Sequence, residues 1–453
     1  MCSNVSSPKR HMRDVIRQKL ADALVFEPPA LTPREARLPN IPRRAHAVTG
    51  MRRAGKTYFL FQCLRERLDG GAPREALVYF SFEDERLAGL GAAELGWVLE
   101  EYFVRFPQFR DRRVVTFFFD EIQVVPGWET FVRRVLDSEK VEVFVSGSSA
   151  KMLSREVATA LRGRATETVI FPFSFREFLR HRGVEPPEDP AFVPKARRSQ
   201  LEKLFREYLA EGGFPEAQGL APRDRLPLLQ SYVDAVIFRD VVERHGVTNV
   251  VALRRLTRQL LGAATGMFSV HRFMNDLRSQ GVAVAKDTLH ALLSHLEDAF
   301  LVRLVPVATS SERQRQSNPR KVYPVDTGLI GAFDRSGKSN LGHALETAVL
   351  IELERRGYEC GYVRTPEGFE VDFLATPITG KPSLIQVCAD TADPATRARE
   401  FRAIEAARAA HRRLPALLLT LSASDAAAAQ AEAPKGVEAR PAWEWLLVNE
   451  ERA

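Results

Sequence analysis

The chain has 453 residues, 45% apolar and 27% charged, too many for a single hydrophobic core and the wrong composition for wholesale disorder. Sixty-five Lys and Arg against 58 Asp and Glu leave a formal charge of +7 and a pI near 9.3, which permits a polyanionic partner without requiring one. Four scattered cysteines exclude a disulfide framework and a CxxC zinc site, and apolar runs no longer than a strand exclude membrane spans, so a soluble, cytoplasmic protein is expected.

The first element with chemistry is a short apolar strand, Ala45 to Val48, followed by GMRRAGKT. Gly50, Gly55, Lys56 and Thr57 satisfy G-x-x-x-x-G-K-[ST], the P-loop pattern. Helical apolar spacing from Tyr58 to Leu68 and a Gly70-Gly71 stop supply the required context. In such a loop the segment Gly50, Arg52, Arg53, Ala54, Gly55, Lys56, Thr57 and Tyr58 wraps phosphate. Lys56 reaches the β and γ phosphates and Thr57 holds Mg²⁺, so ATP and Mg²⁺ are the expected cofactors. The competing reading is a glycine-rich turn.

Further on, VVTFFFDEIQ (Val114 to Gln123) reads as a buried parallel strand ending in Asp120-Glu121. Asp120 suits Mg²⁺ and Glu121 suits polarisation of an attacking water, against the plainer reading of a helix N-cap. A third apolar strand, Val141 to Val145, runs into SGSSA. This puts Ser146 and Ser148 at the end of the sheet where nucleotides bind, with Ser148 favoured as the γ-phosphate sensor.

In this order the elements resemble the Walker A, Walker B and sensor-1 motifs of AAA+ ATPases. With VYFSFEDERL (Val78 to Leu87), DEIQVVPGWE (Asp120 to Glu129), SGSSAKML (Ser146 to Leu153), LRGR (Leu161 to Arg164) and FPFSFREFL (Phe171 to Leu179), nearly the whole chain is similar to one group. These are prokaryotic AAA+ ATPases, akin to the signalling (STAND) NTPases, that carry a C-terminal restriction-endonuclease-like domain. The resemblance implies Lys56, Glu121, Ser148 and Arg164 as catalytic residues. Arg164, or Arg162 beside it, would be an arginine finger acting on a neighbour in a homo-oligomer, a hexamer being one option; the alternative is a surface ion pair. It also implies that Pro215, in EGGFPEA, abuts the nucleotide from a helical lid, although glycine and proline also mark ordinary helix ends. Arg239-Asp240 matches the group and carries no assigned chemistry.

Helical spacing over Phe268 to Leu277 and Thr288 to Leu296, then alternation over Phe300 to Val307 and Lys321 to Val325, outline a winged helix. Its wing, SERQRQSNPRK, presents Arg313, Arg315, Arg320 and Lys321 for nucleic-acid phosphate. The rival role for such a module is packing or partner contact.

A helix bearing Glu346, strands at Glu359 to Arg364, Glu370 to Ala375 and Ser383 to Cys388, a helix from Pro394 to Arg412 and a strand from Ala416 to Leu421 follow the order of PD-(D/E)xK nucleases. Glu346 and Asp372 fit that centre, but Gln386 and Cys388 stand where E-x-K needs an acid and a lysine, so nuclease activity is not expected. A plain α/β domain is the rival reading. Residues 423–430 read as a low-complexity connection.

The expected architecture is α/β: a P-loop AAA+ core with a parallel sheet (1–183), a helical lid and linker (184–248), a winged-helix segment (249–336) and a C-terminal PD-(D/E)xK nuclease-like α/β domain (337–453). The expected function is ATP hydrolysis coupled to action on DNA; the alternative is an ATP-gated signalling or defence switch that binds a protein partner.

Overall fold

Strands of near-continuous apolar sequence are covered on both faces in a parallel sheet packed between helices, and residues 1–170 contain a five-stranded sheet whose inner strands are of this kind. β1 (Ala45–Thr49), β2 (Leu77–Ser81), β3 (Val115–Asp120), β4 (Val141–Gly147) and β5 (Ala165–Val169) all run parallel in the order β2-β3-β4-β1-β5. The computed structural model describes residues 8–39, 41–148, 161, 163–334 and 340–448, and the chain divides into two units, 1–170 and 171–453.

Alternate strand residues cover opposite faces of this first sheet. Ala47, Phe117, Phe119, Val143 and Val145 pack with Val15 and Ile16 of the helix Pro8–Val25 and with Trp128, Phe131 and Val135 of the helix Trp128–Ser138. Val48, Phe118 and Phe144 meet Phe59, Leu60 and Leu64 of the helix Lys56–Asp69. Because β4 lies between β1 and β3, with Val48 beside Ser146 and Phe119 beside Val145, the C-terminal ends of all three strands meet along one edge. The N-terminal helix, absent from the sequence expectations, is tied to the helix Gly96–Arg105 by Arg13 and Arg17, which both reach Glu101, at 3.0 and 2.7 Å.

The second unit begins at Phe171 and takes in all of the segments expected as a lid, a winged helix and a C-terminal domain. One core explains this. Phe175, Leu201, Phe205 and Leu209 from its first helices share a cluster with Leu345, Val349, Phe373, Leu419 and Trp443 from its last elements. In its middle, the helix Val250–Gly262 leads into β6 (Met267–Phe268), the helices Val270–Ser279 and Lys286–Asp298, β7 (Val302–Val305) and β8 (Arg320–Pro324). These strands form an antiparallel sheet in the order β6-β8-β7.

The helix Leu341–Arg355 then precedes β9 (Glu359–Arg364), β10 (Glu370–Thr376) and β11 (Ser383–Cys388). The helix Pro394–Ala410, β12 (Ala416–Thr420), the helix Ala423–Glu432 and β13 (Val437–Pro441) follow, and the strands form a mixed sheet in the order β13-β12-β11-β10-β9. Two expectations need correction. Residues 423–430 are helical, capped by Ser422 and packed through Ala426 and Ala429, because an alanine-rich run is a strong helix former rather than a linker. The expected flexible wing contains the short helix Glu312–Ser317, capped by Ser311. Among the described residues no helix is long and apolar enough to cross a membrane.

Candidate nucleotide site

The turn between β1 and the helix Lys56–Asp69 is the one the glycines permit. Gly50 has φ 140°, and a Cβ there would lie 2.1 Å from the Ile170 carbonyl oxygen; Gly55, at the helix N-cap, has φ 102°. Arg53 also takes a left-handed conformation, at φ 66°. Beneath the loop, the buried Arg34 donates from Nη1 to the Ala54 carbonyl at 2.9 Å, while its backbone exchanges hydrogen bonds with Gln62. Sequence reasoning missed Arg34, because nothing local marks a strut that reaches the loop from 20 residues upstream.

Lys56 is 5% exposed and donates to the carbonyls of Gly50 and Met51 at 3.1 and 3.2 Å, with Glu121 4.0 Å away. Thr57 Oγ1 donates to Asp120 Oδ2 at 2.9 Å. Tyr79 donates to the same oxygen at 2.8 Å and Ser146 donates to Asp120 Oδ1. Ser146 also accepts from the Glu121 backbone N–H at 2.9 Å, while the Gln123 side chain donates to the Glu121 carboxylate. Burial, then the nearby Asp120 carboxylate, pushes the Tyr79 phenol well above its ordinary value, so it remains a donor. Glu121 sits in a left-handed conformation at φ 53°, which turns it off the strand line just past Asp120.

Lys56, Thr57, Asp120, Glu121 and Ser146 are thus brought together at the shared strand edge. Ser148 is buried at the end of β4, and Tyr58 is half exposed beside Phe61. Arg52 faces Glu83 at 3.7 Å. Arg164 pairs with Asp137, both partly exposed; Arg162 lies outside the described residues. Pro215 belongs to the second unit, at the start of a short 3₁₀ turn. Ser146 thus touches the carboxylate of Asp120 and the backbone of Glu121. A threonine hydroxyl and a carboxylate at a helix N-terminus form an all-oxygen donor pair, which fits Mg²⁺ because that ion takes few protein ligands. Among the described residues no group of three or more His, Cys, Asp or Glu could hold a metal.

In the second unit, Arg313 is exposed, Arg320 is half-buried and Arg315 pairs with Glu359 at 2.6 Å. Lys321 corrects the expectation of a phosphate contact: it is 4% exposed and enclosed by carboxylates, so it presents no charge to a surface ligand. Gln386 and Cys388 lie on β11 as expected, next to Asp372 on β10, with Glu346 on the helix Leu341–Arg355. Cys388 Sγ reaches the Asp390 carbonyl at 3.3 Å, and burial pushes its thiol up to about 11, so it is a neutral group.

A parallel sheet with a glycine loop, a buried lysine and an acidic strand end converging on one edge defines a P-loop ATPase fold of the AAA type. The family model for an AAA domain matches residues 42–179, and a model described as a domain of unknown function (DUF8612) matches residues 202–340. The chain belongs to the family of the uncharacterized protein MJ1544 of Methanocaldococcus jannaschii, which is 33% identical over 380 residues, 83% of this chain and 81% of that protein. An uncharacterized Haemophilus influenzae protein is 29% identical over 330 residues, 72% of this chain and 78% of its own. Among solved structures, the Walker-type ATPase PABY2304 of Pyrococcus abyssi aligns with a TM-score of 0.41 at 16% identity, covering 71% of this chain and 95% of that one.

Proposed function

We propose that the protein binds and hydrolyses Mg-ATP at the β1–β3–β4 edge and couples that cycle to action on DNA. The observation that carries the first part is the convergence of Lys56, Thr57, Asp120 and Glu121 from two segments far apart in the chain. Phosphate oxygens would replace the Gly50 and Met51 carbonyls as acceptors for Lys56. The backbone from Gly50 to Tyr58 would supply N–H groups to the phosphates. Thr57 and Asp120 would hold Mg²⁺, which neutralises charge on the phosphates. Glu121, whose Oε2 accepts from Gln123, would be the carboxylate that accepts a proton from water, since both oxygens of Asp120 are taken by Thr57, Tyr79 and Ser146. Ser146 sets the position of both acids, and Ser148 is the second hydroxyl at the strand end. Arg164, at a surface ion pair, would act on a neighbour's nucleotide in a homo-oligomer.

The DNA part of the reading rests on the second unit. A helix–strand–helix–helix–strand–strand order, with the short helix Glu312–Ser317 between the last two strands, and the sheet β6-β8-β7 support the winged-helix reading. The helix-and-strand order from Leu341 to Thr420 supports a nuclease-like α/β domain. The test is steady-state ATP hydrolysis alone and with single-stranded, duplex and branched DNA, with Glu121→Gln as the blank. Stimulation by one form supports coupling to DNA; turnover indifferent to all three overturns it and favours the ATP-gated switch with a protein partner.

A further inference from the structure

The acidic centre on β10 does not match a metal site in its charge balance. Lys321, from the central strand of the three-stranded sheet, extends its ammonium to Glu346 Oε1 at 3.0 Å, Glu370 Oε1 at 2.7 Å and Asp372 Oδ1 at 2.9 Å. An ammonium has three N–H donors; here Glu346 and Asp372 each accept one, and Glu370 completes the charge contacts as an ion pair. Tyr323, two residues along the same strand, donates to Glu346 Oε1 at 2.7 Å. Asp372 Oδ2 is taken by the Val387 backbone N–H at 2.9 Å.

The neighbouring substitutions fit the same arrangement. Gln386 accepts from the Asp372 backbone N–H at 3.1 Å and donates to Glu400 at 2.8 Å. A carboxylate at 386 would face the Glu400 carboxylate with no proton between them, whereas the amide bonds both neighbours. The position that supplies an acid in a metal-dependent nuclease is therefore turned away from the centre. Glu346 and Asp372, both largely enclosed, with the partly exposed Glu370 beside them, would be costly without a counter-charge, and the lysine offsets that cost. Nitrogen-to-oxygen distances of 2.7 to 3.0 Å are those of charge-assisted hydrogen bonds, well beyond the roughly 2.0–2.1 Å of Mg²⁺–oxygen contacts.

We propose that Lys321 is a resident cation in place of a metal ion: its ammonium fills the centre between Glu346, Glu370 and Asp372, so that this site takes no divalent metal. The ion cluster instead ties β8 to β10 and to the helix Leu341–Arg355 as an internal clasp of the second unit. The lysine and the acids are thus one device. With Lys321 in place these carboxylates form no metal-holding group; removal of the ammonium would leave them without a counter-charge, and a divalent ion would then draw its oxygen ligands from them.

The test is Mn²⁺ binding followed by electron paramagnetic resonance on the full-length, nucleotide-free protein. Wild type and Glu370→Gln are expected to bind the same amount of Mn²⁺. Lys321→Met, which keeps the side-chain length, is expected to gain one bound ion per chain, and Lys321→Met with Glu370→Gln to lose it again. A folded Lys321→Met that gains no Mn²⁺ overturns the proposal, as does a wild-type signal that Glu370→Gln removes. Should Lys321→Met not fold, the wild-type comparison decides: equal signals from wild type and Glu370→Gln support the resident cation, and a lower signal from Glu370→Gln overturns it.

Discussion

Lys56 and Glu121 are 4.0 Å apart and have separable roles. Lys56→Ala removes the cation for the β and γ phosphates, so titration with a fluorescent ATP analogue is expected to show affinity lost, not turnover alone. Glu121→Gln keeps the shape and removes the base. ATP is expected to remain bound while single-turnover hydrolysis falls by about 10²–10⁴-fold; normal turnover would remove Glu121 from the role. Gly50→Ala places a methyl group 2.1 Å from the Ile170 carbonyl oxygen. The loop must then move, at a cost of about 1–3 kcal/mol, and urea unfolding of the first unit together with analogue binding reads both consequences. The glycines, Lys56, Thr57, Asp120 and Glu121 were legible because phosphate chemistry fixes their spacing along the chain. Tyr79, Arg34 and Gln123 were not, since their partners lie elsewhere in sequence and are joined only by sheet register and tertiary packing.

At the scale of elements, the EGGFPEA segment has a structural explanation inside its own unit. Asp326 caps the helix Thr327–Phe333 by accepting from the Gly328 N–H at 3.0 Å, and its other oxygen accepts from the Gly213 N–H at 2.6 Å. Gly212, at φ 79°, leaves room for it, since a Cβ there would lie 2.0 Å from the carboxylate. The glycine pair thus fits a buried acid, a partnership no local motif reveals across 113 residues. Burial raises the Asp326 carboxyl from 3.8 to about 6, although the two N–H groups pull it down. The folded state therefore holds this proton more tightly than the unfolded chain. Its stabilising contribution is complete below about pH 4 and lost as pH rises through about 6, up to about 3 kcal/mol. The thermal midpoint of wild type relative to Asp326→Asn is expected to fall over that interval; a constant difference would show that Asp326 does not titrate there. The strands β7 to β12 and the helices Val270–Ser279, Lys286–Asp298, Leu341–Arg355 and Pro394–Ala410 were legible from apolar spacing, whereas the helices Glu312–Ser317 and Ala423–Glu432 were not, because neither carries an apolar stripe. The capping box of Ser174 and Glu177 that opens the helix Phe175–His181 sat in plain view in FPFSFREFL, an S-x-x-E pattern before an apolar pair. Ser174→Ala is expected to cost about 1 kcal/mol, measured by thermal unfolding.

For the whole molecule, a charge of +7 is a weak prior for nucleic acid, and its distribution gives that prior content. Two of the basic residues named for nucleic-acid phosphate are already engaged: Lys321 with three carboxylates and Arg315 with Glu359. The exposed Arg313 keeps its charge at the surface of the second unit. If DNA binds there, affinity is expected to fall with salt, each duplex phosphate contact adding about 0.9 to the slope of log affinity against log salt. Arg313→Ala is then expected to weaken binding to all duplex sequences alike and to lower that slope by about 1. Lys321→Met should change the slope little, because its charge is already satisfied within the protein. Fluorescence anisotropy with a labelled duplex at several salt concentrations separates the cases. A slope unaltered by Arg313→Ala would move the contact away from β7–β8, and a slope reduced by Lys321→Met would mean that the carboxylate cluster opens when DNA binds.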